Sequence, residues 1–157
     1  MNSEMMSPED CLGCQVANGV LLPVGGFVYA DELWTVNHRL ASAPILGWLI
    51  LQPRRHVEAL HELTTDEQRR MAQLMAYVDS TVRYILAPSK VYVCLFAEAA
   101  QCPHIHFHVI PRTRDIDVRG PEIFDYRPQA YPSEEKILNF VHQAREHLKQ
   151  LMGNEEQ

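Results

Sequence analysis

The sequence predicts an α+β domain in which short β-rich runs surround one long amphipathic helix and a second helix ends the chain. Three observations carry this. β-Branched and aromatic residues cluster in short runs at 27–30, 33–37, 47–51, 90–96 and 104–110, each bounded by Gly, Pro, Asn or Asp or by charged residues. Apolar residues from Met71 to Leu86 recur at helical spacing. The last run, His104-Ile105-His106-Phe107-His108-Val109-Ile110, alternates strictly between histidine and large apolar residues, the pattern of a half-buried strand.

Taken in order, residues 1–10 are polar and Met-rich and read as a frayed, flexible terminus. Residues 11–157 read as one domain, a length that allows a substantial core, with 113–152 as its C-terminal loop and helix. Cys11-Leu12-Gly13-Cys14 opens that domain. The N-terminus lacks the pattern of a signal peptide. The chain's four cysteines therefore point to a cytoplasmic protein with thiol, metal or redox chemistry ahead of disulfides. One Cys-x-x-Cys pair supplies half of a closed zinc site, so two further ligands must come from elsewhere. Cys94, inside an apolar run, is assigned to the core, and Cys102 receives no role.

Gly25-Gly26 makes a turn into Phe27–Ala30, and Asp31-Glu32 turns the chain into Leu33–Asn37, an antiparallel hairpin. A loop at 38–46 precedes a buried third strand, Gly47–Leu51, stopped at Pro53. Thr64 and Glu67 have the spacing of a capping box and start a helix over 65–87. Arg69 and Arg70 fall off its apolar stripe and read as solvated. Lys90–Phe96 is a strand that pairs with the histidine run across the turn at 97–103. The 113–132 stretch shows little periodicity. Arg112 and Arg114 either reach a polyphosphate or pair with Asp115 and Asp117. Ser133 caps the last helix, whose stripe is Ile137, Val141, Ala144, Leu148 and Leu151.

Hydrophobic content of 46% and charged content of 22% are ordinary for a globular protein. A net charge of −6 argues against binding nucleic-acid polymers, which takes a basic footprint. No apolar run approaches the roughly 20 residues of a membrane helix, so no membrane partner is expected. On a strand, His104, His106 and His108 share one face while Ile105, Phe107 and Val109 share the other. Neighbouring rings lie roughly 6.5–7 Å apart along such a strand. The pattern is compatible with a polar surface strand, a metal site, or catalysis by one ring with its neighbours in support. Spacing alone does not choose among the rings.

His104-x-His106-x-His108, followed by Val109-Ile110 and Pro111-Arg112, resembles the signature of the histidine triad (HIT) nucleotide hydrolases and transferases. Its ending is similar to the fragile-histidine-triad and diadenosine-polyphosphate hydrolase branches. Val36-Asn37 and Gly47 to His56 extend the resemblance over roughly residues 11–112. It implies a HIT-like antiparallel sheet of about five strands carrying the 65–87 helix on one face, usually as a homodimer. It implies cleavage at the α-phosphate of nucleoside phosphoramidates or dinucleoside polyphosphates through a nucleotidyl-histidine. His106 would be the nucleophile, His108 a donor to the α-phosphate oxygens, and Asn37 a contact on the nucleoside side. Cys11, Cys14, His56 and His104 would bind a structural zinc ion. Two departures stand out. Trp48 follows Gly47 where many relatives have Gly-His, and Gln101 occupies the place of a hydroxyl residue. The Gln101 amide donates to a phosphate oxygen but does not relay a proton. Two other readings are a nucleotide-binding regulatory protein with little turnover, and a metalloenzyme holding catalytic zinc on all three motif histidines.

Overall fold

The computed structural model describes residues 9–40 and 42–153; most of the expected frayed terminus, residues 1–8, lies outside them. A five-stranded antiparallel sheet organises the chain. It comprises β1 (Phe27–Ala30), β2 (Trp34–His38), β3 (Leu49–Pro53), β4 (Lys90–Leu95) and β5 (Phe107–Arg112), in the spatial order β1-β2-β3-β5-β4. The helices are α1 (Leu12–Ala17), α2 (Thr65–Leu86) and α3 (Glu134–Gly153). This is the α+β architecture the sequence predicts. Among the described residues no helix is long and apolar enough to cross a membrane.

The strands' period-two alternation sends side chains to two different cores. Trp34 and Val36 of β2, Leu49 and Leu51 of β3, and Phe107 and Val109 of β5 face Leu74, Val78 and Val82 of α2 and Phe140, Val141, Ala144 and Leu148 of α3. Burying each of the three α2 side chains contributes roughly 2 kcal/mol. On the opposite face Ile50, Ile110 and Trp48 meet Ile45, Ile116 and Ile123. The 113–132 stretch is thus no open loop. It lays Ile116 and Ile123 on the sheet and includes a 3-10 turn at Gly120–Asp125.

Helix α2 begins as its sequence dictates. Thr64 Oγ1 accepts from the Glu67 amide, and Glu67 accepts from the Thr64 amide at 2.8 Å. Arg55 adds a bidentate pair to the Glu67 carboxylate, at 3.1 and 2.7 Å, and holds it below the usual carboxylate range. Arg70 departs from the expectation of a solvated side chain. It pairs with Asp31 at 2.7 Å, contacts the Tyr29 hydroxyl, and so pins the β1–β2 turn to α2. Arg69, paired only at 3.5 Å with Asp66, is solvated as expected. Cys94, assigned to the core, is only half-buried, because β4 is an edge strand.

Just before β3, Gly47 adopts φ +80°, and a Cβ there would lie 2.5 Å from Leu86 Cδ1. Its amide donates to Nε2 of His38 (3.1 Å), and His38 Nδ1 donates to the Arg39 carbonyl (3.1 Å). Both nitrogens are used, so the buried ring is neutral, and burial lowers its pKa to about 4. Between the ordinary value of 6.5 and about 4, the unfolded chain takes up a proton that the folded chain refuses. Stability is therefore complete above that window and falls as pH drops through it, by roughly 3 kcal/mol per such histidine. His38→Gln is expected to flatten the melting temperature's dependence on pH between 6.5 and 4, as read by thermal denaturation in a pH series.

Candidate active site and metal centre

The histidine run divides its labour. Only Phe107 onward is strand; residues 104–106 lie ahead of it, and the Ile105 amide donates to Val57 O at 2.8 Å. The side chains still alternate. Ile105, Phe107 and Val109 are buried in the main core. His106 and His108 line a pocket of about 250 Å³, and His104 turns toward α1.

Among the described residues, a single group of His, Cys, Asp or Glu side chains converges as metal ligands do: Cys11, Cys14, His56 and His104, with donor atoms all within 4.8 Å of one another. Cys14 Sγ lies 3.1 Å from His56 Nδ1 and 3.4 Å from His104 Nδ1. A tetrahedron with bonds of roughly 2.0–2.3 Å has edges of about 3.3–3.8 Å, so these spacings suit one ion. Each imidazole directs Nδ1 inward and Nε2 to an oxygen, His104 to Pro53 O (2.8 Å) and His56 to Glu58 Oε1 (3.1 Å). Such outer contacts fix the tautomer that a metal needs. Burial, with Cys11 nearby, pushes the Cys14 thiol up to about 12, and burial lowers His104 to about 4. A cation in the group supplies the charge that lets a buried thiol ionise, and a neutral imidazole is already a ligand. The four residues can therefore bind a metal. His106 and His108 are not among them, so the three motif histidines do not form one metal site.

Gly13 makes the group possible: a Cβ at this position would lie 2.7 Å from His104 Cβ. Helix α1 is held over the sheet by Gln52 Nε2 donating to Gly13 O (3.1 Å) and by the Leu12 amide donating to Gln101 O (2.9 Å). Leu12, Gly13 and Val16 then form one wall of the pocket, and the 97–103 turn brings Gln101 and Cys102 to another.

The two pocket histidines carry their protons on opposite nitrogens. His106 Nδ1 sits 2.8 Å from His104 O. A carbonyl only accepts, so Nδ1 holds a proton, and in the neutral ring Nε2 carries the lone pair. His108 Nδ1 sits 3.0 Å from Trp48 Nε1. An indole only donates, so Nδ1 is the acceptor and the neutral ring carries its proton on Nε2. Burial, and then the charges of His106 and Arg39, lower His108 to about 4, which keeps it neutral. The ring centroids are 4.9 Å apart. Trp48 is buried, and Phe124 packs edge-on against both Trp48 and His108 at 5.4 Å. Trp48→Phe keeps this packing but releases the tautomer. For the hydrolase activity proposed below, the expected result is a fall in kcat of about tenfold with little change in KM, measured by steady-state kinetics.

Asn37 also lines the pocket and is buried. Its Nδ2 donates to His38 O (2.8 Å), while Oδ1 is buried without a partner. An orphaned buried acceptor in a pocket wall is one that a ligand donor satisfies. Gln101 borders the same space, so the residues that the family resemblance assigns to the site fall into two adjoining clusters, metal and pocket. Arg112 and Arg114 do not border it: Arg112 donates to Ile116 O (3.1 Å), and neither pairs with Asp115 or Asp117 among the described residues. Residues that sequence reasoning missed are Arg39, Gln52, Cys102 and Phe124. Cys102 lies 3.8 Å from His106 Nδ1. Gln52 interrupts an apolar strand beside Pro53, which was the one available signal.

The HIT domain family matches residues 26–115, more than half of the chain. A search of curated proteins found no match. Among solved structures, the chain is similar to a hypothetical histidine triad nucleotide-binding protein from Sulfolobus tokodaii. The TM-score is 0.68 and the identity 23%, over 90% of this chain and 93% of that one. It is also similar to a zinc-bound histidine triad family protein from Mycobacterium smegmatis. There the TM-score is 0.67 and the identity 17%, over 94% and 99% of the two chains. A histidine triad protein from Bradyrhizobium japonicum gives 0.65 and 17%, over 78% and 89%. With the family match spanning β1 to β5 and the second and third triad rings set side by side in the pocket, the chain belongs to the HIT family.

Proposed function

We propose that this chain is a nucleotide hydrolase that cleaves at the α-phosphate through a nucleotidyl-histidine intermediate. The observation that carries the reading is the opposed pair of tautomers: one ring offers a lone pair to the pocket and its neighbour offers an N–H. His106 Nε2 forms a bond to the α-phosphorus while the bond from phosphorus to the leaving group breaks, and the leaving group departs with the electron pair. His104 O, holding the Nδ1 proton, steadies the charge gained by the His106 ring. His108 Nε2–H donates to a non-bridging α-phosphate oxygen. One water then attacks phosphorus, the P–N bond breaks, and the nucleoside monophosphate leaves. The two hydrogens of that water end on the leaving group and on the released phosphate or in solvent. Asn37 Oδ1 accepts from a ribose hydroxyl, and the Gln101 amide donates to a phosphate oxygen.

Cys11, Cys14, His56 and His104 would hold zinc. Zinc bound there would be structural, since four protein ligands leave no open position for water. The edge strand β4 exposes Val93, and Phe96 just past its end is exposed too, which supports the expected homodimer. A second reading, a nucleotide-binding regulatory protein with little turnover, draws on one fact: among the described residues, none that lines the pocket carries a hydroxyl.

The deciding experiment incubates the protein with an adenosine monophosphate ester and analyses it by acid-free mass spectrometry. A panel of adenosine phosphoramidate, diadenosine polyphosphates and ADP is assayed beside it. An adenylyl adduct on His106 with turnover of at least one substrate is the expected result. An adduct on another residue would refute the assignment, and binding without turnover would leave the regulatory reading.

A further inference from the structure

Next to the histidine pocket lies a second hollow of about 220 Å³, bordered by Arg39, Trp48, Phe124, Arg127 and Tyr131. Arg39 belongs to both. Its Cζ stands 4.7 Å above the Trp48 ring, and Trp48 in turn holds His108. Arg39 has Ser42 O for a partner at 3.4 Å, and Arg127 Nη1 has Phe124 O (3.2 Å) and Tyr126 O (2.9 Å). All three partners are backbone carbonyls. Neither guanidinium has a carboxylate partner among the described residues. Two positive charges thus face one hollow in a chain whose net charge is −6, each with donors to spare. Like charges placed together in this way are stabilised by an anion with several oxygens, which planar guanidinium groups bind well. Burial, and after it the charge of Arg127, lowers the pKa of Arg39.

The leaving-group chemistry points the same way. Among the described residues, none that lines the histidine pocket carries a hydroxyl, and Gln101 does not relay a proton. An amine or alkoxide leaving group needs a proton as its bond to phosphorus breaks. A phosphate chain does not, since its terminal oxygen has a pKa of about 6.

Resting on the proposed nucleotidyl-histidine reading, we propose that Arg39 and Arg127 form a subsite for a condensed phosphate chain. The chain then discriminates by leaving group, in favour of nucleotides whose α-phosphorus carries a polyphosphate and against those carrying an amine.

The test uses the full chain as wild type, Arg127→Gln, Arg39→Gln and, as a charge control away from the hollow, Arg114→Gln. Inorganic tripolyphosphate is titrated by calorimetry, and kcat/KM is measured for diadenosine triphosphate and adenosine phosphoramidate. The expected result is a Kd for tripolyphosphate raised about tenfold in both subsite variants and less than about twofold in the control. The ratio of the two kcat/KM values should fall at least about fivefold in the subsite variants alone. Arg127 is exposed and lies outside every helix and strand, so its variant carries the test if Arg39→Gln does not fold. Equal weakening in Arg114→Gln, or an unchanged ratio with turnover intact, overturns the subsite and leaves the histidine mechanism standing. If wild type hydrolyses neither substrate, the mechanism fails and the tripolyphosphate titration alone decides the subsite.

Discussion

His106→Asn is expected to lower kcat by about a thousandfold or more against every substrate the wild type turns over, while the folded state is kept. The argument is local. The ring's structural contact is its Nδ1 proton, given to His104 O at 2.8 Å. An asparagine Nδ2 reaches a neighbouring carbonyl in the same way, so the melting temperature should move little. What asparagine lacks is the lone pair that Nε2 holds in the pocket. His108→Asn should be milder, about a hundredfold, because it removes a donor to the phosphate oxygens and not the nucleophile. The order of the two effects matters. If all three motif histidines instead held one catalytic metal, both variants would lose metal and fall together. Kinetics on both variants, with metal content measured alongside, separates the two cases. Retained metal with unequal losses is the expected outcome.

Much of this was legible in the sequence because local periods report orientation. Alternation from His104 to Ile110 assigned the apolar face correctly, although the strand begins only at Phe107. Thr64 and Glu67 marked the start of α2 because a capping box is set by residues three apart. The metal group was reached through the family resemblance, since spacing supplied only Cys11 and Cys14. The features that were missed depend on partners distant in the chain. The His108 tautomer is set by Trp48, sixty residues earlier. Arg70 is held by Asp31, 39 residues away. Ile116 and Ile123 are buried, and Phe124 packs against them, without any period, because an irregular segment packs wherever the sheet leaves room. Cys94 sits in an apolar run yet is only half-buried, since an edge strand has a neighbour on one side only.

With zinc held by Cys11, Cys14, His56 and His104 as proposed, its removal by chelation or by Cys14→Ser is expected to lower stability by roughly 3–5 kcal/mol and the melting temperature by about 10 °C. The size of the effect follows from what the ion would join. Cys14 approaches His56 across 42 residues and His104 across 90, so one ion ties the start of the domain to the ends of two distant segments. Helix α1, with six residues, is far below the length at which a helix is stable alone, and Cys11 provides no side-chain cap. Apart from the metal group it is anchored by a few hydrogen bonds, among them Arg54 Nη1 to Ala17 O at 2.8 Å. Freed ligands also become liabilities, because Cys14 and His104 are buried groups whose charged forms burial disfavours. Since Leu12, Gly13 and Val16 wall the pocket, the same loss should raise KM more than it lowers kcat. Adding chelator to Cys14→Ser should change nothing further, because both perturbations remove the same ion. Differential scanning calorimetry with zinc quantification checks this. A purified wild type that carries no zinc, or a Cys14→Ser melting temperature equal to the wild type's, would show that α1 is held by its hydrogen bonds and by packing alone.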